Sequence, residues 1–383
     1  MMDFTLTEEQ QQRREEIVRF AQQELNEGVA QRDKEHAFSE AQWLKCGEKR
    51  LHGLPIPEEY GGCGLDALST ALALEAFGYG CEDSGLVFAI SALMLACAVP
   101  LWKFGTEEQK RRYLPKLCNG TLIGVNAMSE PEAGSDVFSM TTSAVPDGDG
   151  YRLNGKKTFC SNGPIADLVV LYAVTDAEKG FHGGITAFLV EKGTPGFRVG
   201  QSFEKMGLRT FPVGELICED VYVPASAILG GLGAGATLFT HSMDWERICL
   251  FASHIGTMER LLKKAIQHAR TRKQFGQPIG KFQAVSHRIA DMKVQLEAAR
   301  LLTYRSAWRL DRTRSISLDA AMTKLFVSEA YVKTALDLMQ TFGGYGFMKE
   351  FEIERAVRDA LPSTIYSGTS DMQRNIIARW LGL

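Results

Sequence analysis

The chain has 383 residues with 43 basic and 46 acidic side chains, a formal net charge of −3. That near balance offers no basic stripe for nucleic acid and no acidic solvating tail, and the length calls for two or three packed layers rather than one small domain. Cys46, Cys63, Cys81, Cys97, Cys118, Cys160, Cys218 and Cys249 are scattered without a C-x-x-C pair. This disfavours a zinc site or a disulfide framework and fits the reduced thiols of a cytoplasmic protein.

Met1 to Asn26 is rich in Glu and Gln and lacks an apolar core, so it reads as neither a secretory signal nor a transit peptide. From Thr7 to about Leu117 the apolar spacing predicts helices, broken at Gly53-Leu54-Pro55-Ile56-Pro57 and Tyr60-Gly61-Gly62-Cys63-Gly64. Ser84 to Trp102 carries no charge, but Ser84, Gly85, Ser91 and Pro100 dilute it and it has no partner span. It reads as a buried core helix, not a membrane span.

The character changes near Leu122. Tyr151 to Lys157 reads as a strand running into an Asn154-Gly155 hairpin turn. Strands are predicted at Asp167 to Val174, Ile185 to Val190, Gly196 to Val199 and Glu215 to Val223, as a small barrel or a pair of orthogonal sheets. The run Gly230-Gly231-Leu232-Gly233-Ala234-Gly235 lacks the Lys-Ser/Thr of a P-loop and reads as a hinge. Helical periodicity then returns, notably over Thr237 to Arg270 and Ser317 to Tyr345. The fold class is α+β: an N-terminal helical domain (1–120), a middle β-barrel domain (121–232) and a C-terminal helical bundle (233–383).

Specific strings carry a resemblance. Ala127-Met128-Ser129-Glu130-Pro131-Glu132-Ala133-Gly134-Ser135-Asp136 is similar to the first signature of acyl-CoA dehydrogenases. Gln340-Thr341-Phe342-Gly343-Gly344-Tyr345-Gly346-Phe347, followed by Glu350, Arg355 and Asp359, resembles the second. Pro57 to Gly62, Arg272 to Gly276 and Gly368-Thr369-Ser370 fall in the family's order, so the resemblance covers essentially the whole chain.

The resemblance implies FAD as cofactor. Met128, Ser129, Phe159 and Ser161 would line the isoalloxazine, with Phe159 packed on the ring where many members have Trp. The backbone of Gly134-Ser135 can approach phosphate closely because Gly has no Cβ. Thr369 belongs to the same cofactor loop. In the family a neighbouring subunit supplies the far half of the flavin site. Here that contribution would be Arg272, Phe275, Gln340, Gly343 and Gly344, which implies at least a dimer and commonly a tetramer. Read alone, Arg272 in Arg270-Thr271-Arg272-Lys273 is a solvated helix end.

The family reaction is α,β-dehydrogenation of a thioester, a carboxylate taking the α-proton while the β-hydride passes to flavin. In many members the base is a Glu where this chain has Ser367. A Ser is no base at neutral pH, but its backbone N–H can still hold the thioester carbonyl, so Ser367 stays a substrate-binding residue. The base expected instead is Glu246, in Met243-Asp244-Trp245-Glu246-Arg247-Ile248-Cys249-Leu250, which resembles the string that carries the base in isovaleryl-CoA and long-chain acyl-CoA dehydrogenases. Read without that context, Glu246 is one more solvated helix carboxylate. Arg247 is expected to help position the substrate.

Within the family the strings Gly64 to Ala71, Gly85 to Ala89, Gly163 to Asp167, Trp245 to Arg247 and Ser367 to Gln373 resemble a smaller group. Its members act on prolyl groups tethered to peptidyl carrier proteins. One oxidation of that thioester gives a pyrroline, and a second would reach pyrrole-2-carboxyl. An alternative is a short- or branched-chain acyl-CoA dehydrogenase of catabolism, and a further one is an inactive flavoprotein-like binding scaffold. The implied partners are the carrier protein and further copies of the chain, with an electron-transfer flavoprotein or oxygen as electron acceptor. Lys110-Arg111-Arg112 would serve an acidic carrier if it lay at the pocket mouth, but as a solvated helix face it needs no function.

Overall fold

The computed structural model describes residues 5–313 and 315–383. Its first third is helical, with principal helices at Glu8–Glu24, Ala67–Gly80 and Glu107–Cys118. Thr7 and Gln10 form a reciprocal capping box at the first of these, and Thr106 and Gln109 do the same at the last. The apolar segment Ser84–Phe104 is long enough to cross a membrane, yet it lies inside the protein with 89% of its apolar stretch buried. It is helical throughout, with one π-turn at Met94–Ala98.

The middle third holds eight strands: β1 (Gly124–Ala127), β2 (Ser143–Asp147), β3 (Gly150–Ser161), β4 (Leu168–Val174), β5 (Ile185–Glu191), β6 (Phe197–Ser202), β7 (Val213–Pro224) and β8 (Ile228–Leu229). Their order is β6-β7-β3-β2-β4-β5-β8, with β1 parallel to β4. The join between β2 and β4 is a single pair, Ser143 with Val174, so the sheet falls into two halves. Side chains of both halves, among them Leu153, Leu216, Leu171 and Val190, share one buried cluster.

Asn154-Gly155 is not a hairpin turn. The β2–β3 turn lies earlier, around Asp147–Gly150, and β3 runs straight through Asn154 with a register shift between Leu153 and Gly155. Asn154 Oδ1 accepts the backbone N–H of Asp220, and a Cβ at Gly155 would fall 2.4 Å from Thr142 Oγ1. The dipeptide therefore serves a bulge where two strands approach closely.

The last third returns to helices at Gly235–Trp245, Phe251–Thr271, Gln283–Leu310, Ser317–Phe342, Ile353–Ala360 and Ser370–Trp380. A π-turn, Glu246–Leu250, joins the first two of these. The glycine run before them has left-handed φ at Gly230, Gly231 and Gly233, and it packs tightly at Gly233, whose N–H donates to Thr186 Oγ1.

Candidate active site

A cavity of about 470 Å³ opens where the sheet meets the two apolar helices, Ser84–Phe104 and Gly235–Trp245. Met128, Ser129, Gly134, Ser135, Phe159 and Ser161 line one side of it. Glu246, Arg247 and Ser367 line the other.

The first side is built on a buried ion pair. Glu130 and Ala133 close a tight turn through mutual backbone hydrogen bonds, which presents Gly134-Ser135 at the cavity. The Glu130 carboxylate accepts from Thr141 N (2.7 Å), Thr142 N (2.9 Å) and Lys157 Nζ (2.8 Å). Lys157 also donates to the carbonyl of Met128 at 3.1 Å, tying β3 to the loop. Burial pushes the Glu130 carboxyl up, but the Lys157 charge and these donors outweigh it and hold it at about 2. A second register shift in β3, between Lys157 and Cys160, brings Phe159 into left-handed φ and turns its ring out, 68% exposed. So large an exposed ring on a cavity wall suits a planar partner.

The second side is built on the π-turn. Its wide turn keeps Ile248, Cys249 and Leu250 fully buried while Glu246, 7% exposed, reaches the cavity. Among the described residues Glu246 is the only carboxylate lining that cavity. Its Oε1 accepts the Ser367 hydroxyl. Burial pushes the Glu246 carboxyl up, opposed by the Ser367 hydrogen bond and the Arg247 charge. Ser367 itself sits in left-handed φ (+56°), a conformation costing an L-residue about 1–2 kcal/mol. Arg247 Nε donates to the Ser367 carbonyl at 3.0 Å and Gln373 Nε2 donates to it at 3.2 Å, which offsets that strain. Next door, a Cβ at Gly368 would lie 2.7 Å from Gln373 Nε2.

Phe88 and Tyr366 form an aromatic wall. Phe88 stacks on Phe211 at 5.0 Å and meets Tyr366 at 4.7 Å, while Tyr366 Oη is 2.6 Å from His254 Nε2. Burial pulls His254 down to about 3, so the ring is neutral at pH 7.

A separate cleft of about 610 Å³ brings together Arg272, Gln340, Gly343 and Gly344, and no described residue lines both it and the cavity. Apart from chain neighbours, no described residue stands within 4 Å of a Cβ built at Gly343 or Gly344, so the backbone there is open to a ligand. Two expected cofactor residues line neither site. Phe275 is 93% exposed on a short ribbon, and Thr369 caps the Ser370–Trp380 helix through Met372 N. Arg272 stands 5.4 Å over the Tyr345 ring. Arg111 and Arg112 are paired with Glu107 and Glu191 and line neither site, as a solvated face would.

Sequence reasoning missed the structural roles of Lys157, His254 and Gln373. A Lys inside a strand that also carries buried Leu153 and Cys160 was the available signal for the first. His254 stands eight positions beyond Glu246, but the π-turn between them hides the spacing.

Models of the acyl-CoA dehydrogenase N-terminal, middle and C-terminal domains match residues 7–121, 126–221 and 233–382. The chain belongs to the acyl-CoA dehydrogenase family. Among members of that family, an L-prolyl-[peptidyl-carrier protein] dehydrogenase of Pseudomonas fluorescens is 48% identical over the whole of both chains. A solved structure of the prolyl acyl carrier protein oxidase AnaB superposes with a TM-score of 0.97 at 46% identity, over 99% of this chain and all of that one. The structure of PigA with FAD and proline does so with a TM-score of 0.97 at 43% identity, over the whole of both chains.

Proposed function

We propose that this acyl-CoA dehydrogenase family member is an FAD-dependent dehydrogenase of a prolyl thioester carried on a peptidyl carrier protein. The observation that carries the reading is Glu246, the one carboxylate that lines the cavity among the described residues, held against Ser367. The full-length likeness to prolyl-carrier relatives sets the substrate class. The cavity fits FAD. It offers an open glycine at Gly134, hydroxyls at Ser129 and Ser161, and the bare face of Phe159. When bound, FAD accepts the β-hydride of the substrate.

The chain's own residues do the rest. Glu246 takes the α-proton, and its burial raises proton affinity towards the range a general base needs. The Ser367 N–H has no acceptor among the described residues and is free to hold the thioester carbonyl, stabilising the charge that develops there. Arg247 is half-buried at the cavity and holds the loop that carries this donor. The aromatic wall of Phe88 and Tyr366 excludes water and favours a compact acyl group.

Arg272 would hold the pyrophosphate, and Gln340, Gly343 and Gly344 the adenosine half, of a flavin shared with a neighbouring copy, which would make the enzyme an oligomer. Val294, Leu301 and Trp308 support this. They lie exposed at seven-residue spacing along one helix, an apolar stripe suited to a helix partner.

The deciding experiment is anaerobic mixing of the flavin-loaded protein with prolyl-loaded carrier protein, and separately with short and branched acyl-CoAs. Bleaching by the prolyl carrier alone is expected. Bleaching by an acyl-CoA alone makes this a catabolic enzyme, and no bleaching by any thioester supports the scaffold reading. Two further outcomes follow. Arg272→Glu is expected to release FAD on gel filtration at concentrations where the parent retains it. Phe88→Leu is expected to admit longer acyl thioesters in the same bleaching assay, at a stability cost of about 1 kcal/mol from the lost ring contacts.

A further inference from the structure

The sequence assigns Ser367 only a backbone role, but the hydrogen bond from its hydroxyl to Glu246 shows more. The backbone on both sides of this hydroxyl is fixed. The Ser367 carbonyl is held by Arg247 and Gln373, the Gly368 carbonyl by Gln373 at 2.9 Å, and the loop is stopped by the Thr369 cap. A side chain on so rigid a loop delivers its hydroxyl to one place. The carboxylate it meets is equally constrained, because the π-turn places Glu246 among fully buried neighbours.

Among the described residues Glu246 Oε1 has this one donor and Oε2 has none. The geometry points to the Ser367 hydroxyl as a positioning residue for the base: it ties Oε1, favours the ionised carboxylate, and leaves Oε2 to receive the α-proton. This rests on the reading of Glu246 as base and adds to it a side-chain function for the residue that displaced the usual Glu.

The other groups that face Glu246 do not replace this donor. Arg247, from the same turn, acts on Glu246 by charge while its Nε is spent on the Ser367 carbonyl. Tyr366 is engaged with His254, and Tyr172 of β4 is fully buried without a hydrogen-bond partner among the described residues. Lys324 and Asp244 act by charge on Arg247 rather than on the carboxylate. Among the described residues the hydroxyl is thus the sole hydrogen-bond donor to the base. Its loss favours the protonated carboxyl, which cannot accept the α-proton.

The test compares parent, Ser367→Ala and Ser367→Gly, all loaded with FAD, by stopped-flow bleaching with prolyl-loaded carrier protein from mildly acid to mildly alkaline pH. Both variants are expected to be about tenfold slower on the acid side, the scale of a hydrogen bond to a charged group, and to regain most of the parent rate as pH rises. Ser367→Gly also relieves the left-handed backbone, so a matching profile in the two variants assigns the effect to the hydroxyl. A loss equal at every pH, or none, overturns the proposal.

A second readout needs no turnover: the infrared carbonyl band of the protonated Glu246 carboxyl, identified by its absence in Glu246→Gln, followed against pH. It is expected to persist to higher pH in Ser367→Ala than in the parent, and coincident titrations overturn the proposal. If no thioester bleaches the parent, the substrate reading fails while the infrared titration still decides the role of Ser367.

Discussion

Glu246→Gln is expected to keep the fold and bound FAD while bleaching roughly 10²–10⁴-fold more slowly with the prolyl carrier, the usual contribution of a general base. The amide keeps the volume of the carboxyl and still accepts the Ser367 hydroxyl through its oxygen, so packing is preserved. What is lost is the ability to take a proton. The size of the effect follows from isolation, because among the described residues no other carboxylate lines the cavity to substitute. Asp244, two residues earlier, is pushed up to about 6 by burial, but it points to Ser317 and does not line the cavity. The check is single-turnover reduction of a variant shown by its absorbance to be fully flavin-loaded. A rate close to the parent's sinks the assignment of Glu246.

The largest stability effect is expected at Lys157. Lys157→Met leaves the Glu130 carboxylate 4% exposed without a counter-charge, and breaking a buried pair in this way costs about 3–5 kcal/mol. The loop that presents Gly134-Ser135 should loosen with it, so flavin retention should fall alongside urea stability. The sign of the pH dependence is fixed. In the parent the Glu130 carboxyl is held at about 2, below the ordinary value near 4.3, so its stabilisation is present above about 4.3 and is lost as pH falls towards 2. In Lys157→Met the acid limb should be shallower and the deficit smaller at low pH, where protonation removes the stranded charge. The double variant Glu130→Gln with Lys157→Met should recover much of the loss, and a double-mutant cycle of urea curves measures it. Strict additivity would show that the two side chains are not coupled.

Much of this arrangement was legible beforehand, for physical reasons that differ by element. The Ser84–Phe104 segment was readable because small and polar residues break its apolar run, as they do in a packed core but seldom over a whole membrane span. The cavity residues Met128 to Ser135 were readable through the resemblance of their string to the family's first signature, whose glycine suits backbone approach to a ligand. Asn154-Gly155 misled because local turn preference is the same for a hairpin and for a bulge, and only the neighbouring Thr142 decides between them. The pair Glu130–Lys157 stayed hidden because its partners lie on different strands and loops. Ser367 was half legible: the family resemblance implies a backbone role for it, but its hydroxyl bond requires the π-turn to aim Glu246.

Among the described residues the cavity and the cleft share no lining side chain, and on the proposed reading a single polypeptide never completes its own flavin site. Two inactive alleles should therefore rescue each other. Glu246→Gln supplies an intact Arg272 to its neighbour, and Arg272→Glu supplies an intact Glu246, so co-expression of the two assembles some wholly wild-type sites. Intragenic complementation of this kind would appear in cells, and dilution of the mixed enzyme below its assembly concentration would abolish it.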